Sequence, residues 1–435
     1  MGFEPIAFTE FRHPGASPTG PAAPYHRARA SGSGPRATGE GEGFEKGTDV
    51  ARLLRVELHH AQLRFRAPVV TAAGVHAARP VAFLRIETDE GEGFGECAAL
   101  NASSAVDPAY AQVARALAEA GVERLLDAAR ARGGQVPAAS QVAALFGSGP
   151  CARVVGAAVE MAVLDAELRA SGQPLWSRLG VDEAVAEAGV PVGHLVGIPP
   201  DRRIDALVAE VAPLVDGAAT ARVRVKIEPG WDAGPLRALR AAFPDLVLQA
   251  DANGSYRMGS GGPDDAGRLV QLDPLGLACI EQPLPPADLV ALGALAARLE
   301  TPVALDESLT SLRRLRDALR YGACEVACIK PARLGGLLAA RAAAATCAEA
   351  GAGAFVGGFF ETGFARSASA ALAGLRAFTL VGDLSDPGTY LEGPVGARSG
   401  AYPGLRRASV QPFGGPGIAP APQVLQRRPA RTWRV

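Results

Sequence analysis

From Val190 onward the chain repeats one pattern: a short apolar run, a loop, then a helix-length stretch rich in Ala, Leu and Arg, at spacings of roughly 25 to 30 residues. Eight strand candidates follow this rhythm. They are "VPVGHLVG" from Val190, "VRVKIE" from Val223, "LVLQADAN" from Leu246, "CIEQP" from Cys279, "VALDES" from Val303, "VACIKP" from Val326, "AFVGGFFE" from Ala354 and "FTLVGD" from Phe378. Continuous apolar runs suit strands buried on both faces, as in parallel sheets. Eight such units in series imply an α/β fold closed into a (β/α) barrel of TIM type; on rhythm alone, an open doubly wound sheet is the alternative. A barrel takes ~250 residues, so a chain of 435 has room for a second domain.

That domain precedes the barrel. Over residues 51–185 the segments "LLRVELHHAQLRF" and "VAFLRIETDEGEGFGEC" read as strands joined by a turn around Gly74. Helical patterns follow over residues 109–131 and in "RVVGAAVEMAVLDAELRASG", where Val155, Val159, Ala162 and Val163 share a face and Gly172 stands at the C-cap. This predicts an N-terminal α+β capping domain over 51–185 and the barrel over 186–400. Residues 1–50 are rich in Gly, Pro, Ser and Ala and read as a disordered tail. Residues 401–435 read as a segment returning toward the cap, Pro-rich and loose at its end.

Apolar residues make up 48% of the chain, enough for a packed core, and the formal net charge of -1 gives no general attraction to nucleic acid or anionic membrane. No run of ~18 apolar residues predicts a membrane span and no secretory leader is evident. Six scattered cysteines without a C-x-x-C pair fit buried thiols in a reducing cytoplasm. The expected partner is a small molecule.

The charged residues give that molecule a place. Lys226, Asp251, Glu281, Asp306 and Lys330 each stand at the C-terminal end of a different strand candidate, separated by 25, 30, 25 and 24 residues. In a barrel these ends converge on one mouth, where active sites are built. One charged residue at a strand end is commonly a solvated loop residue or a helix cap; five in register argue for a site. Three carboxylates suit a hard divalent cation, Mg²⁺ with Mn²⁺ as an alternative. Two amines beside a bound carboxylate suit proton abstraction alpha to it. Arg224, two residues before Lys226 on the same strand face, is expected to lend the positive charge that lowers the lysine's pKa.

The segments "VRVKIEPGWD", "LQADANGSY", "IEQPL", "LDES", "CIKPARLGG" and "GGFFETGFARSASAALAGLRAFTLVGDLSDPGTY", in this order, resemble the muconate-lactonising subgroup of the enolase superfamily. Within it they are most similar to the o-succinylbenzoate synthase / N-succinylamino acid racemase branch. The resemblance runs from about Leu53 to Gly417 and includes "GFGEC" and "EMAVLDAELRASGQPLWSRLG".

The resemblance implies that Asp251, Glu281 and Asp306 are the Mg²⁺ ligands, that Lys226 is the acid/base on one face of the substrate, and that Lys330 lies on the other. Arg224, Asn253 and Glu307 match positions that hold ligands and lysines in place. Gly358, Glu361 and Thr362 match the strand-seven motif near the substrate, and Arg333 matches an arginine typical of members with racemase capacity. A homo-oligomer is also in keeping with the family. None of the six histidines falls near strand seven, which argues against the mandelate-racemase subgroup; His194 reads as a structural residue. Arg224 replaces the usual first lysine, Cys328 an asparagine, Phe359 a methionine and Leu195 a serine. The loops "RAPVVTAAGVHAARP" and "CAALNASSAVDPAY" are expected to close over the mouth.

The leading expectation is syn-dehydration of a succinyl-hydroxycyclohexadiene carboxylate to o-succinylbenzoate, as in menaquinone synthesis. N-succinylamino acid racemisation by two lysines is the alternative. Cycloisomerisation, dipeptide epimerisation and a non-catalytic barrel scaffold rank behind them.

Overall fold

The computed structural model describes residues 51–72, 74–216, 220–258, 264–392, 407–408 and 415–435. The tail expected over 1–50, and most of the segment from 393 to 414, lie outside the described residues.

The N-terminal sheet is built from three antiparallel strands, β1 (Leu53–Thr71), β2 (Gly74–Thr88) and β3 (Gly91–Cys97). Its turn falls at Gly74, whose φ of +137° is open to glycine. One face packs on the long helix Pro150–Ala170, on which Val155, Val159, Ala162 and Val163 are all buried. The "GFGEC" glycines explain how close that packing is. A Cβ on Gly93 would strike the carbonyl of Ala162, and one on Gly95 that of Ala158. The helix ends as its sequence indicates, with Gly172 at φ +68°.

The chain end corrects one expectation. Residues Arg431–Arg434 are an edge strand of the N-terminal sheet, antiparallel to β1, with Trp433 opposite Val56. Composition suggested a loose end because prolines dominate the preceding residues. One buried tryptophan, with the Arg431 guanidinium 4.6 Å from its ring centroid, is enough to seat four residues on an existing sheet.

The barrel strands are β4 (Gly193–Val196), β5 (Arg222–Lys226), β6 (Leu248–Asp251), β7 (Ile280–Glu281), β8 (Val303–Leu305), β9 (Val326–Ile329) and β10 (Gly353–Val356), parallel and in sequential order. The expected eighth strand from Phe378 does not form a regular ladder. Leu380 and Asp383 donate to the carbonyls of Ala354 and Val356 on β10 (3.0 and 2.9 Å), while the Gly382 carbonyl accepts from Gly193 on the other side (2.9 Å). This extended segment therefore joins the two edges of the seven-stranded sheet by isolated hydrogen bonds and one parallel bridge, Val192 to Gly382, rather than by a continuous ladder.

Candidate active site

Strand alternation sends Arg222, Arg224 and Lys226 of β5 to one face, and all three are buried. Lys226, Asp251 and Glu281 are register partners across β5, β6 and β7, which brings them into one layer. The Lys226 amine lies 2.5 Å from Asp251 Oδ2 and donates to Asn253 Oδ1 at 2.9 Å. Asn253 in turn donates to Glu307 Oε1 at 2.9 Å. Lys330 lies 2.7 Å from Asp306 Oδ2, with its amine 4.7 Å from the Phe359 ring centroid. Oxygens of Glu281 and Asp306, with Cys328 Sγ, fall within 4.8 Å of one another; Asp251 stands outside that group, held by Lys226 and Arg224.

The electrostatics reflect acids packed among cations. Burial pushes the Glu281 carboxyl up to about 7, against the pull of Arg224 and with the help of Asp251 and Asp306. Burial acts the same way on Asp306, but Arg333 and Lys330 outweigh it and hold this carboxyl well below the usual range. Burial opposes charge on Lys330, yet Asp306 prevails and keeps the amine a cation. Burial and the neighbouring acids push the Cys328 thiol far up, so it stays protonated. The Glu281 and Asp306 carboxylates are hard oxygen donors of the kind that suits Mg²⁺ or Mn²⁺, and Cys328 Sγ lies within reach of both.

Arg224 departs from expectation. Its Nη1 lies 2.7 Å from Glu281 Oε1 and 3.4 Å from Asp251 Oδ2, and its Nη2 lies 2.6 Å from Asp383 Oδ2. Its charge is balanced within this group of acids, because carboxylates on β6, β7 and the closing segment all face it. Arg333 binds Asp306 and reaches Asp107 of the N-terminal domain. Glu361 accepts from the Phe359 amide at 2.7 Å and pairs with Arg366 at 3.0 Å. A Cβ on Gly358 would meet the Glu361 carboxylate, which would then have to shift. Thr362 is bound through its amide and hydroxyl to Glu96 of β3, at 3.1 and 2.6 Å.

Several residues here carry no distinguishing mark in the sequence. Arg79, fully buried, joins Glu96 to the Phe359 carbonyl. Gln282 accepts from the amides of Asp306 and Ser308. The available signal was "IEQPL", in which a polar residue directly follows an acid at a strand end. Asn253, Gln282 and Phe360 all have positive φ (+44°, +40° and +57°), so strained backbone collects just beyond the strand ends. His194 is buried beside Arg222 and Asp383, and burial first, then Arg222, pulls its pKa down to about 4, which suits a neutral structural imidazole.

An α/β barrel capped by an N-terminal α+β domain, with acids and amines meeting at its strand ends, defines an acid–base enzyme site. Residues 54–180 match the mandelate racemase / muconate lactonizing enzyme N-terminal domain, and residues 206–405 the enolase C-terminal domain-like family. An N-succinylamino acid racemase from an Amycolatopsis species is 37% identical over 384 residues, covering 88% of this chain and 99% of the relative. An o-succinylbenzoate synthase from Geobacillus kaustophilus is 34% identical, covering 78% and 85%. The solved structure of a probable mandelate racemase from Alicyclobacillus acidocaldarius superposes with a TM-score of 0.75 at 33% identity, covering 88% of this chain and 99% of that one. The chain belongs to the mandelate racemase / muconate lactonizing enzyme family of the enolase superfamily. Among the described residues, no helix is long and apolar enough to cross a membrane.

Proposed function

We propose that the protein removes the proton alpha to the carboxylate of a succinyl-bearing acid, and that its activity is syn-dehydration to o-succinylbenzoate. The observation that carries this reading is the pair of buried amines, Lys226 on Asp251 and Lys330 on Asp306, set on either flank of Glu281. Asp251, Glu281 and Asp306 would hold Mg²⁺, or Mn²⁺ in its place. When bound, this ion supplies positive charge to the substrate carboxylate as the enediolate develops.

The two lysines differ in a way that suits dehydration. Both amines lie on a carboxylate, and Lys330 also faces the Phe359 ring, which favours the cationic form needed to stabilise an enediolate. Lys226, hydrogen-bonded to Asn253, is assigned as the base that takes the alpha proton and returns it to the departing hydroxyl. Arg333, Gly358, Glu361 and Thr362 would shape the substrate cavity, with Arg224, Asn253 and Glu307 positioning the ligands and the base. Six free cysteines suit a reducing cytoplasm.

A second reading is racemisation of N-succinylamino acids with Lys330 as the second base. The placement of amines on both flanks favours it, as do relatives that bear this name. The purified protein with Mg²⁺ in deuterated water, given each succinyl substrate separately, decides between them. Formation of o-succinylbenzoate faster than racemisation is expected. The opposite order selects the second reading, and neither product nor alpha-proton exchange from either substrate overturns both.

A further inference from the structure

Below Lys226 on the same strand face, two guanidinium groups share one carboxylate. Arg222 binds Asp383 Oδ1 through Nη2, and Arg224 Nη2 lies 2.6 Å from Asp383 Oδ2. Their other arms converge on Glu281. Arg224 Nη1 donates to Glu281 Oε1 and Oε2 at 2.7 and 2.9 Å. Arg222 Nη1 donates to Gln249, whose amide donates to Glu281 Oε2 at 2.5 Å. Arg222, Arg224, Gln249, Glu281 and Asp383 are all buried, so water does not screen these charges. Asp383 is itself fixed, because its amide donates to the Val356 carbonyl and its carbonyl accepts from Arg366.

We propose that Asp383, on the segment that closes the barrel, is a positioning residue for the metal centre, acting through Arg224 on Glu281. This rests on the proposed Mg²⁺ site. Arg224 lies against two of the three carboxylates that would bind the ion, and so competes with it for their oxygens. Asp383 balances that guanidinium and holds its second arm away from the acids. Without the Asp383 charge, Arg224 closes on Glu281 and Asp251 and the ion meets a stronger rival. Arginine rather than lysine at position 224 makes this possible, since a planar fork can hold Asp383 on one arm and Glu281 on the other.

Calorimetric titration of Mg²⁺ into the metal-free full chain tests this without any substrate. Asp383→Asn should weaken Mg²⁺ binding by about tenfold or more, the range found when an outer partner of a metal ligand is lost. In an Arg224→Gln background most of that loss should disappear, whereas a merely structural role for Asp383 would weaken both backgrounds alike. Wild-type affinity in Asp383→Asn, or equal losses in both backgrounds, overturns the proposal. Should Asp383→Asn not fold, Asp383→Glu takes its place: the charge is kept but moved by one methylene, and unchanged Mg²⁺ affinity then overturns it. Absence of saturable Mg²⁺ binding by the wild-type chain removes the proposed function and this inference together; wild-type binding that Asp383 does not influence removes this inference alone.

Discussion

Asp107, on the loop after β3, and Arg333, just beyond β9, form a bidentate ion pair across the two domains: Nε lies 2.8 Å from Oδ1 and Nη2 lies 2.7 Å from Oδ2. The third arm of the same guanidinium donates to the Asp306 carbonyl at 2.9 Å. A residue in the N-terminal loop expected to close the mouth is thus tied to the strand-end acids by one arginine.

Removing Asp107 should therefore loosen that loop and strand a buried cation. Asp107→Ala is expected to lower stability by about 2–4 kcal/mol, because two of the three guanidinium nitrogens of Arg333 lose a charged partner away from water. It should also raise KM more than it lowers kcat. Calorimetry and steady-state kinetics check both; an unchanged melting temperature with unchanged KM would show the pair to be incidental.

Lys226→Ala should reduce turnover by at least about 10³-fold, as loss of a general base does, while Mg²⁺ still binds, since the three carboxylates remain. Single-turnover assays and metal titration read these separately. Near-wild-type turnover would eliminate Lys226 as the base.

Phe359 stands where a methionine is expected, with its ring facing the Lys330 amine. Phe359→Leu removes an interaction worth about 0.5–2 kcal/mol that favours the ammonium form. Losing that ring should weaken the ammonium's placement and lower kcat by about 2- to 30-fold, with a smaller change in KM. Wild-type kcat would deny the Phe359–Lys330 contact a part in the reaction.

Glu160, on the helix Pro150–Ala170, accepts from the Leu338 amide at the start of the helix Leu337–Glu349, and its second oxygen has no hydrogen-bond partner. Burial pushes this carboxyl up to about 8, so the folded state binds the proton more tightly than the unfolded chain. Stability from this group is complete below pH 4.5 and is lost as pH rises toward 8. Glu160→Gln, which stays neutral, should flatten that decline and gain about 1–3 kcal/mol over wild type at pH 8. Melting curves at pH 5.5 and pH 8 test it; equal slopes for both proteins would contradict it.

What the sequence made legible was periodic. The barrel and its ring of charged strand ends are legible because units of roughly 25–30 residues repeat an apolar run, and five consecutive ones carry Lys, Asp or Glu at its end. What it concealed was contact between distant segments. Asp107 and Arg333 are 226 positions apart, and nothing around Asp107 marks it as a partner. Strand alternation gives the face of Arg224, but one of its counter-charges comes from Asp383, 159 residues on in the irregular eighth segment. The strand Arg431–Arg434 was hidden for a related reason: its order comes from the sheet it joins, not from its own four residues.

In the proposed reaction Asp251, Glu281 and Asp306 close around one hard cation between Lys226 and Lys330. Anomalous diffraction from crystals grown with Mn²⁺ measures this directly. The expected result is a single strong peak in contact with a carboxylate oxygen from each of the three residues. A peak bound elsewhere, or one that Asp251 does not approach, would contradict it.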